Sequence, residues 1–205
     1  MQKLSASLIR KELRTLLENT LQKNGFSKLR NGLYDNAVPG VQRLIGFGPV
    51  FARGKYYITL GVRVRFPAVE AILHFNKEDP FFSGTYGGRV DTVIENSEGE
   101  WACRDVNDLP AIAEERKSSI ENSIPFLFEN SSIGAVRQRL ISNLPPMCDS
   151  VVRSCILSCM DVVEGNVSRG LERLDKHVAE NRTKQPSQWL WPKELRDYIA
   201  SLECS

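Results

Sequence analysis

Residues 56–66 read YYITLGVRVRF, and this stretch decides the fold class. Every second position is apolar or aromatic, and these positions are Tyr56, Ile58, Leu60, Val62, Val64 and Phe66. Successive side chains of a β-strand point to opposite faces, so strict alternation predicts a strand with one buried face. Tyr57, Arg63 and Arg65 occupy the other face, which is expected to meet solvent or a helix.

Further strand candidates flank this stretch, each bounded by turn residues. The predicted strands cover residues 41–51, 89–95 and 101–103, with a short mixed segment at 26–34. Pro39-Gly40 and Arg53-Gly54 are typical of tight turns. Such short connections favour a mostly antiparallel sheet of four or five strands.

Helical periodicity dominates both ends of the chain. Apolar positions repeat every three or four residues in residues 5–24, which predicts an N-terminal helix closed by Gly25. A short helix is predicted at residues 68–75, and a longer one from Leu109 that Pro125 should kink or end. Four more helices are predicted at residues 132–143, 149–163, 167–179 and 193–202.

One helix, then strands, then helices is the order of an α+β protein, with helices packed on one face of the sheet. Pro145-Pro146 is the most definite break in the second half. The sequence therefore predicts an α+β domain at residues 1–144 and a C-terminal helical extension at residues 145–205.

Charge is distributed unevenly along the chain. Residues 1–66 have a net charge of +9, residues 67–129 of −8, and residues 130–205 of +1. Two interpretations stay open. The basic and acidic segments pair with each other, or the basic segment presents its charge to an acidic partner or a nucleic acid.

Composition points to a cytoplasmic protein without a membrane segment. The chain has 205 residues and is 41% hydrophobic, with no apolar run near the roughly 20 residues that cross a bilayer. Its N-terminus has charges within the apolar pattern, unlike a signal peptide. Five cysteines without framework spacing are expected to be reduced thiols.

The residues that could carry chemistry do not form a known motif. Cys155 and Cys159 share a helix face and, with Cys148 and His177, could be zinc ligands, but the apolar residues beside them favour a core position. His74 stands at a helix edge, and no nucleophile, phosphate-binding or metal signature is present. We expect no cofactor and no metal, and we favour a protein that is not an enzyme.

Basic and aromatic residues on or near the long strand are the candidate binding site. These residues are Arg43, Lys55, Tyr57, Arg63 and Arg65. Arginine beside aromatic rings on a sheet face can hold a nucleic-acid backbone and stack bases. Alternate arginines also keep the outer face of a strand in solvent, so this assignment is a hypothesis.

Residues 13 to about 140 resemble the bacterial domain-of-unknown-function family numbered 4304. The resemblance rests on four features: Asn24-Gly25-Phe26 after the first helix, the strand beginning Tyr57-Ile58-Thr59, Arg89-Val90 with a turn before Trp101, and Ile124-Pro125-Phe126 after an acidic helix start. It implies an α+β domain and no established activity, cofactor or site residue. Trp101 stands alone where such sequences often have two tryptophans, and the tail after Pro146 is an addition.

The functional hypothesis is a non-enzymatic protein-binding module in the cytoplasm, such as an immunity or accessory protein that blocks a protein partner. A nucleic-acid-binding protein that uses the basic segment is the first alternative. A small-molecule hydrolase or transferase is the second.

Overall fold

The computed structural model describes residues 4–30, 32–75, 84–95, 97–142 and 149–202. The chain divides into two compact units, each made of two chain segments. Unit 1 comprises Met1–Val64 and Tyr86–Ser131, and unit 2 comprises Arg65–Thr85 and Ser132–Ser205. The predicted boundary at residues 144/145 lies outside the described residues, and the predicted division into a domain at residues 1–144 and an extension at residues 145–205 stays a prediction. Contacts place residues 132–142 in unit 2.

Unit 1 opens with helix α1, Ala6–Lys23, close to the predicted range. Its buried stripe of Ile9, Leu13, Leu17 and Leu21 is fully inaccessible to solvent. The Ser5 hydroxyl caps the first turn by accepting a hydrogen bond from the Leu8 amide at 3.2 Å. Gly25 then turns the chain at a φ of 79°, and Phe26 is buried beyond it.

An antiparallel sheet forms the other layer of unit 1. Its strands are β1 Ser27–Arg30, β2 Leu33–Val38, β3 Val41–Ala52, β4 Lys55–Arg65, β5 Tyr86–Arg89 and β6 Glu100–Cys103. The strand order is β1-β2-β3-β4-β5, and β6 also pairs with β4. Residues 56–59 of β4 pair with β6 and residues 61–64 pair with β5, so two short strands share one edge. The predicted α+β class is confirmed, and the sheet has one strand more than the upper count expected.

The inner face of β4 is buried as predicted. Ile58, Leu60, Val62 and Val64 have no exposed surface. Helices α1 and α4, Leu109–Glu129, pack against each other and against the sheet. Tyr56 is only half-buried because it lies near the end of the hairpin, where its ring meets that of Phe51.

Residues 89–95 and Pro125 depart from the sequence predictions in unit 1. Residues 89–95 were expected to form a strand, but β5 ends at Arg89 and a short helix α3, Val90–Val93, follows. The Thr92 hydroxyl donates to the Arg89 carbonyl at 2.7 Å, which favours a turn over extension. Pro125 was expected to kink or end α4; the helix continues to Glu129, so it does not end there, and the kink stays a prediction. Pro125 lies on the exposed side, and the next residues, Phe126 and Leu127, are buried.

Unit 2 is helical. Its helices are α2 Pro67–Leu73, α5 Ile133–Ser142, α6 Ser150–Val163, α7 Val167–Asn181 and α8 Leu190–Leu202. Helix α6 is central and packs on the other four. It approaches α7 at Gly170, where an added Cβ would lie 2.9 Å from the Ser158 carbonyl oxygen. The predicted C-terminal helices are therefore present, and no helix among the described residues is long and apolar enough to span a bilayer.

Candidate functional site

Three of the predicted binding residues lie on the outer face of β4 in unit 1. Lys55, Tyr57 and Arg63 occupy the odd positions of the strand, opposite the buried even positions. The Lys55 ammonium lies 4.8 Å from the centre of the Tyr57 ring, a cation–π arrangement. Arg63 is exposed. These side chains come from one strand face because the alternation holds through its whole length.

Arg43 does not join this group. Its side chain is buried, its Nε donates to the Ser131 hydroxyl at 2.7 Å, and its Nη1 donates to the Asn36 side-chain oxygen at 2.7 Å. The guanidinium also lies 4.2 Å from the centre of the Phe128 ring. Arg43 therefore ties β3 to the end of α4, and burial lowers its pKa below the usual value. Arg65 is half-buried and belongs to unit 2.

The hairpin between β3 and β4 carries a cluster of which the sequence predicted only Lys55 and Tyr57, and not Phe51 or Arg53. We call it the β3–β4 tip, and its residues are Val50, Phe51, Arg53, Gly54, Lys55, Tyr56 and Tyr57. Phe51 is 64% exposed, the highest value among the large apolar side chains of the described residues. Its ring meets the Tyr56 ring edge-on at 5.1 Å. Arg53 adopts a left-handed backbone with a φ of 51°, which is rare for a residue other than glycine.

A signal for the tip was present in the sequence. A two-residue hairpin turn requires positive φ at both central positions, where asparagine or glycine is usual. Arginine at the first position carries a backbone cost, and local strain of this kind often accompanies function. Residues 41–66 also contain five Lys/Arg and no Asp/Glu.

Unit 1 also contains a fully buried arginine without a counterion among the described residues. Arg116 of α4 has no exposed surface, and its guanidinium lies 4.3 Å from the centre of the Trp101 ring. Its Nη1 donates to the Thr59 carbonyl at 3.3 Å, while its Nε and Nη2 have no hydrogen-bond partner there. Burial lowers the pKa of Arg116 from 12.5 to about 9. This side chain costs stability where it stands.

Unit 2 has the opposite arrangement around Asp161 of α6. This carboxylate is buried and pairs with Arg137 of α5 and with Arg173 of α7, whose Nη2 lies 3.1 Å away. Arg169 adds a longer contact at 3.7 Å, and Arg137 also binds Glu164 at 2.5 Å. One carboxylate thus joins three helices.

The two histidines occupy different environments within unit 2. His177 is buried, with its Nδ1 3.1 Å from the Ser154 hydroxyl and its Nε2 3.0 Å from the Gln188 carbonyl oxygen. A carbonyl can only accept, so Nε2 donates to Gln188, and the Ser154 hydroxyl is the partner of Nδ1. His177 therefore ties α7 to α6 and to the turn before α8.

His74 lies beside a buried carboxylate at the end of α2. Its Nε2 is 3.2 Å from Oε2 of Glu70, and the Thr85 hydroxyl donates to the other Glu70 oxygen at 2.8 Å. Thr85 in turn accepts from the Phe66 amide at 3.0 Å. The hydroxyl is thus bonded to the carboxylate and not to the histidine, unlike a nucleophile with its base. The expectation that the chain is not an enzyme stays a prediction.

The described cysteines are buried free thiols. Burial raises the pKa of Cys103 to about 11 and of Cys155 to about 12, and that of Cys159 also rises well above its ordinary value. Among the described residues, no three His, Cys, Asp or Glu side chains are grouped as metal ligands. Cys148, part of the zinc alternative, lies outside them.

We expect these three thiols to resist alkylation in the folded protein, because only the thiolate reacts and both burial and raised pKa values suppress it. Iodoacetamide at about pH 8, followed by peptide mass spectrometry, should leave them unmodified until urea unfolds the chain. Modification of Cys155 in the native protein at the rate of a free thiol would contradict its interior position.

The described structure is that of an α+β protein with an exposed basic and aromatic hairpin. No family model, curated protein or solved structure matches the chain. The resemblance to family 4304 accordingly stays a prediction.

Proposed function

We propose that the chain is a non-enzymatic binding module of the cytoplasm, and that it recognises a protein partner through the β3–β4 tip. The observation that carries the proposal is the exposure of Phe51 beside Arg53 and Lys55. Aromatic residues and arginine are enriched at protein interfaces and dominate their energetic centres. An immunity or accessory protein, which blocks a partner protein by binding to it, has a function of this kind.

The chemistry of the tip indicates what the partner offers. Val50 and Phe51 are more than half exposed, so a recess with apolar walls would remove their surface from water. Arg53 and Lys55 flank this surface, and no Asp or Glu occurs in residues 41–66 to neutralise them. The partner therefore presents an apolar recess with an acidic rim, since opposite charges steer association and set specificity.

The test is site-specific photo-crosslinking in the native host. Benzoylphenylalanine replaces Phe51 in one variant and Phe128 in the control, because Phe128 is also a phenylalanine about half exposed, on α4. We expect one protein adduct from position 51 and none of the same mass from position 128. Reversing the charges in Arg53→Glu with Lys55→Glu should weaken that adduct at least about tenfold.

Two outcomes would contradict the proposal. Equal adducts from positions 51 and 128 would indicate unspecific capture. If the charge reversal left the yield of the adduct unchanged, the charged residues of the tip would have no part in recognising the partner. Arg53 is exposed and Lys55 is half-buried at the surface, so the far-UV circular dichroism of this variant should match that of the wild type.

A nucleic acid is the second candidate partner, favoured by the uninterrupted positive charge of residues 41–66. Lys55, Tyr57 and Arg63 on the face of β4 would then contact phosphates and bases. Nucleic-acid binding weakens steeply with salt because bound phosphates release counterions. A position-51 adduct that nuclease removes and protease does not would favour this alternative.

A further inference from the structure

A second basic surface lies on α1, away from the residues assigned to the tip. Arg10, Lys11 and Arg14 line a pocket of about 290 Å³ together with Ser7 and Gly32. Arg10 and Arg14 are one helical turn apart and Lys11 adjoins Arg10, so three cations converge on one concavity. The lining contains no Asp or Glu.

These three cations have no ion-pair partner among the described residues. Glu12 and Glu18 lie on the same helix, yet neither forms an ion pair with them there. Like charges one turn apart repel each other and destabilise a helix. An anion in the pocket would remove this repulsion.

The wall opposite α1 is rigid. Gly32 has a φ of 71°, and an added Cβ would lie 2.3 Å from the Phe47 carbonyl oxygen. The Gly32 carbonyl accepts from the Phe47 amide at 2.7 Å, which fixes the turn against β3. Only glycine fits here, so the wall of the pocket is set by the backbone.

Tyr34, two residues after Gly32, has a buried hydroxyl but does not line the pocket. Tyr34 of β2 is 1% exposed and stacks on Phe47, but its hydroxyl has no hydrogen-bond partner among the described residues. The pKa of Tyr34 is raised, chiefly by burial and then by the negative charge of Glu18, while the positive charge of Arg14 lowers it. Arg14 thus lines the pocket and also acts electrostatically on Tyr34, and a buried hydroxyl without a partner is uncommon.

We propose that the pocket formed by Ser7, Arg10, Lys11, Arg14 and Gly32 binds a phosphate group. Three cations exceed what a single carboxylate would neutralise and suit a dianion, and arginine binds phosphate oxygens in a two-pronged geometry. The volume of about 290 Å³ leaves room for a phosphorylated molecule larger than inorganic phosphate. This site is independent of the β3–β4 tip.

The test uses inorganic phosphate and amide chemical shifts of the full chain, at constant ionic strength adjusted with chloride. We expect saturable shifts at residues 7, 10, 11, 14 and 32. The variant Arg10→Gln with Arg14→Gln should weaken phosphate binding at least tenfold. Its matched control, Lys23→Gln with Lys28→Gln, removes two exposed cations nearby and should change the affinity less than twofold.

A single-stranded oligonucleotide as a second probe distinguishes the source of the phosphate. Shifts confined to the pocket for both probes indicate a small phosphorylated ligand, and spread of the oligonucleotide shifts along β4 indicates a polymer. Absence of saturation by inorganic phosphate, or equal losses in the paired variants, would overturn the proposal. Unchanged helix content in circular dichroism shows that the variants are folded.

Discussion

Replacing Asp161 with alanine is expected to lower the free energy of unfolding by about 3–5 kcal/mol. The change removes the carboxylate that Arg137 and Arg173 share. Among the described residues it leaves the largely buried Arg137 guanidinium with Glu164 as its one ion-pair partner. Breaking a buried ion pair from one side is costly because the remaining charge stays out of water. Urea unfolding followed by far-UV circular dichroism measures the loss.

Asp175→Ala is the matched control for this effect. Asp175 lies on α7 and also pairs with an arginine, Arg196, at 3.0 Å, but its side chain is 56% exposed. An exposed pair contributes about 0–1 kcal/mol, so the control should unfold near the wild-type urea concentration. Equal losses in the two variants would mean that burial of Asp161 adds nothing, and the account of that cluster would fail.

Replacing Arg116 with methionine is expected to have the opposite effect on stability from Asp161→Ala, because it should raise the free energy of unfolding. Substitution of buried charges by apolar side chains of similar size is often neutral or stabilising, by about 1–4 kcal/mol. Methionine keeps the volume beside Trp101 and removes two donor nitrogens that have no partner in the described residues. The losses are one hydrogen bond to Thr59, worth about 1 kcal/mol, and the contact with the indole ring.

The pH dependence of this difference identifies its cause. The pKa of Arg116 is about 9 in the folded chain against an ordinary value of 12.5, so the unfolded state binds more protons between these values. Stability contributed by this group therefore rises with pH in that window. The advantage of Arg116→Met over wild type should be largest below about pH 9 and shrink above it.

Arg104→Met provides the control, because Arg104 is exposed and should change stability by less than about 0.5 kcal/mol. A loss of stability in Arg116→Met at neutral pH, with normal stability of the control, would contradict the cost assigned to the buried guanidinium.

Alternation in residues 56–66 was sufficient to predict the strand and its buried face, because a period of two has one structural meaning over that length. The helix of residues 5–24 was equally clear. Residues 89–95 were not, since the β-branched residues Val90, Thr92, Val93 and Ile94 favour a strand, whereas the hydroxyl of Thr92 favours a turn. Pro125 shows the same limit, because tertiary packing of Phe126 and Leu127 outweighs the local effect of proline.

Only those candidate-site residues that lie on strand β4 itself could be placed from the sequence. Lys55, Tyr57 and Arg63 share a face by parity, whereas Arg43 lies on the neighbouring strand and its burial depends on Ser131 and Phe128, far along the chain. Sequence spacing does not contain those contacts. Nothing in the sequence around Arg116 distinguishes it from the exposed charges of the same helix. Its burial depends on contact with Trp101, which is distant enough in the chain that the sequence does not predict it.

The interleaved path of the chain has a consequence for synthesis on the ribosome. Unit 2 begins at Arg65, but unit 1 is complete only at Ser131. Helix α2 is therefore synthesised long before α6, its packing partner. Until α6 is made, the apolar side of α2 is exposed or covered by another surface. By the time the last residue of unit 1 has been synthesised, part of unit 2 has already been made. Neither unit can therefore fold as a complete N-terminal domain before synthesis of the other begins.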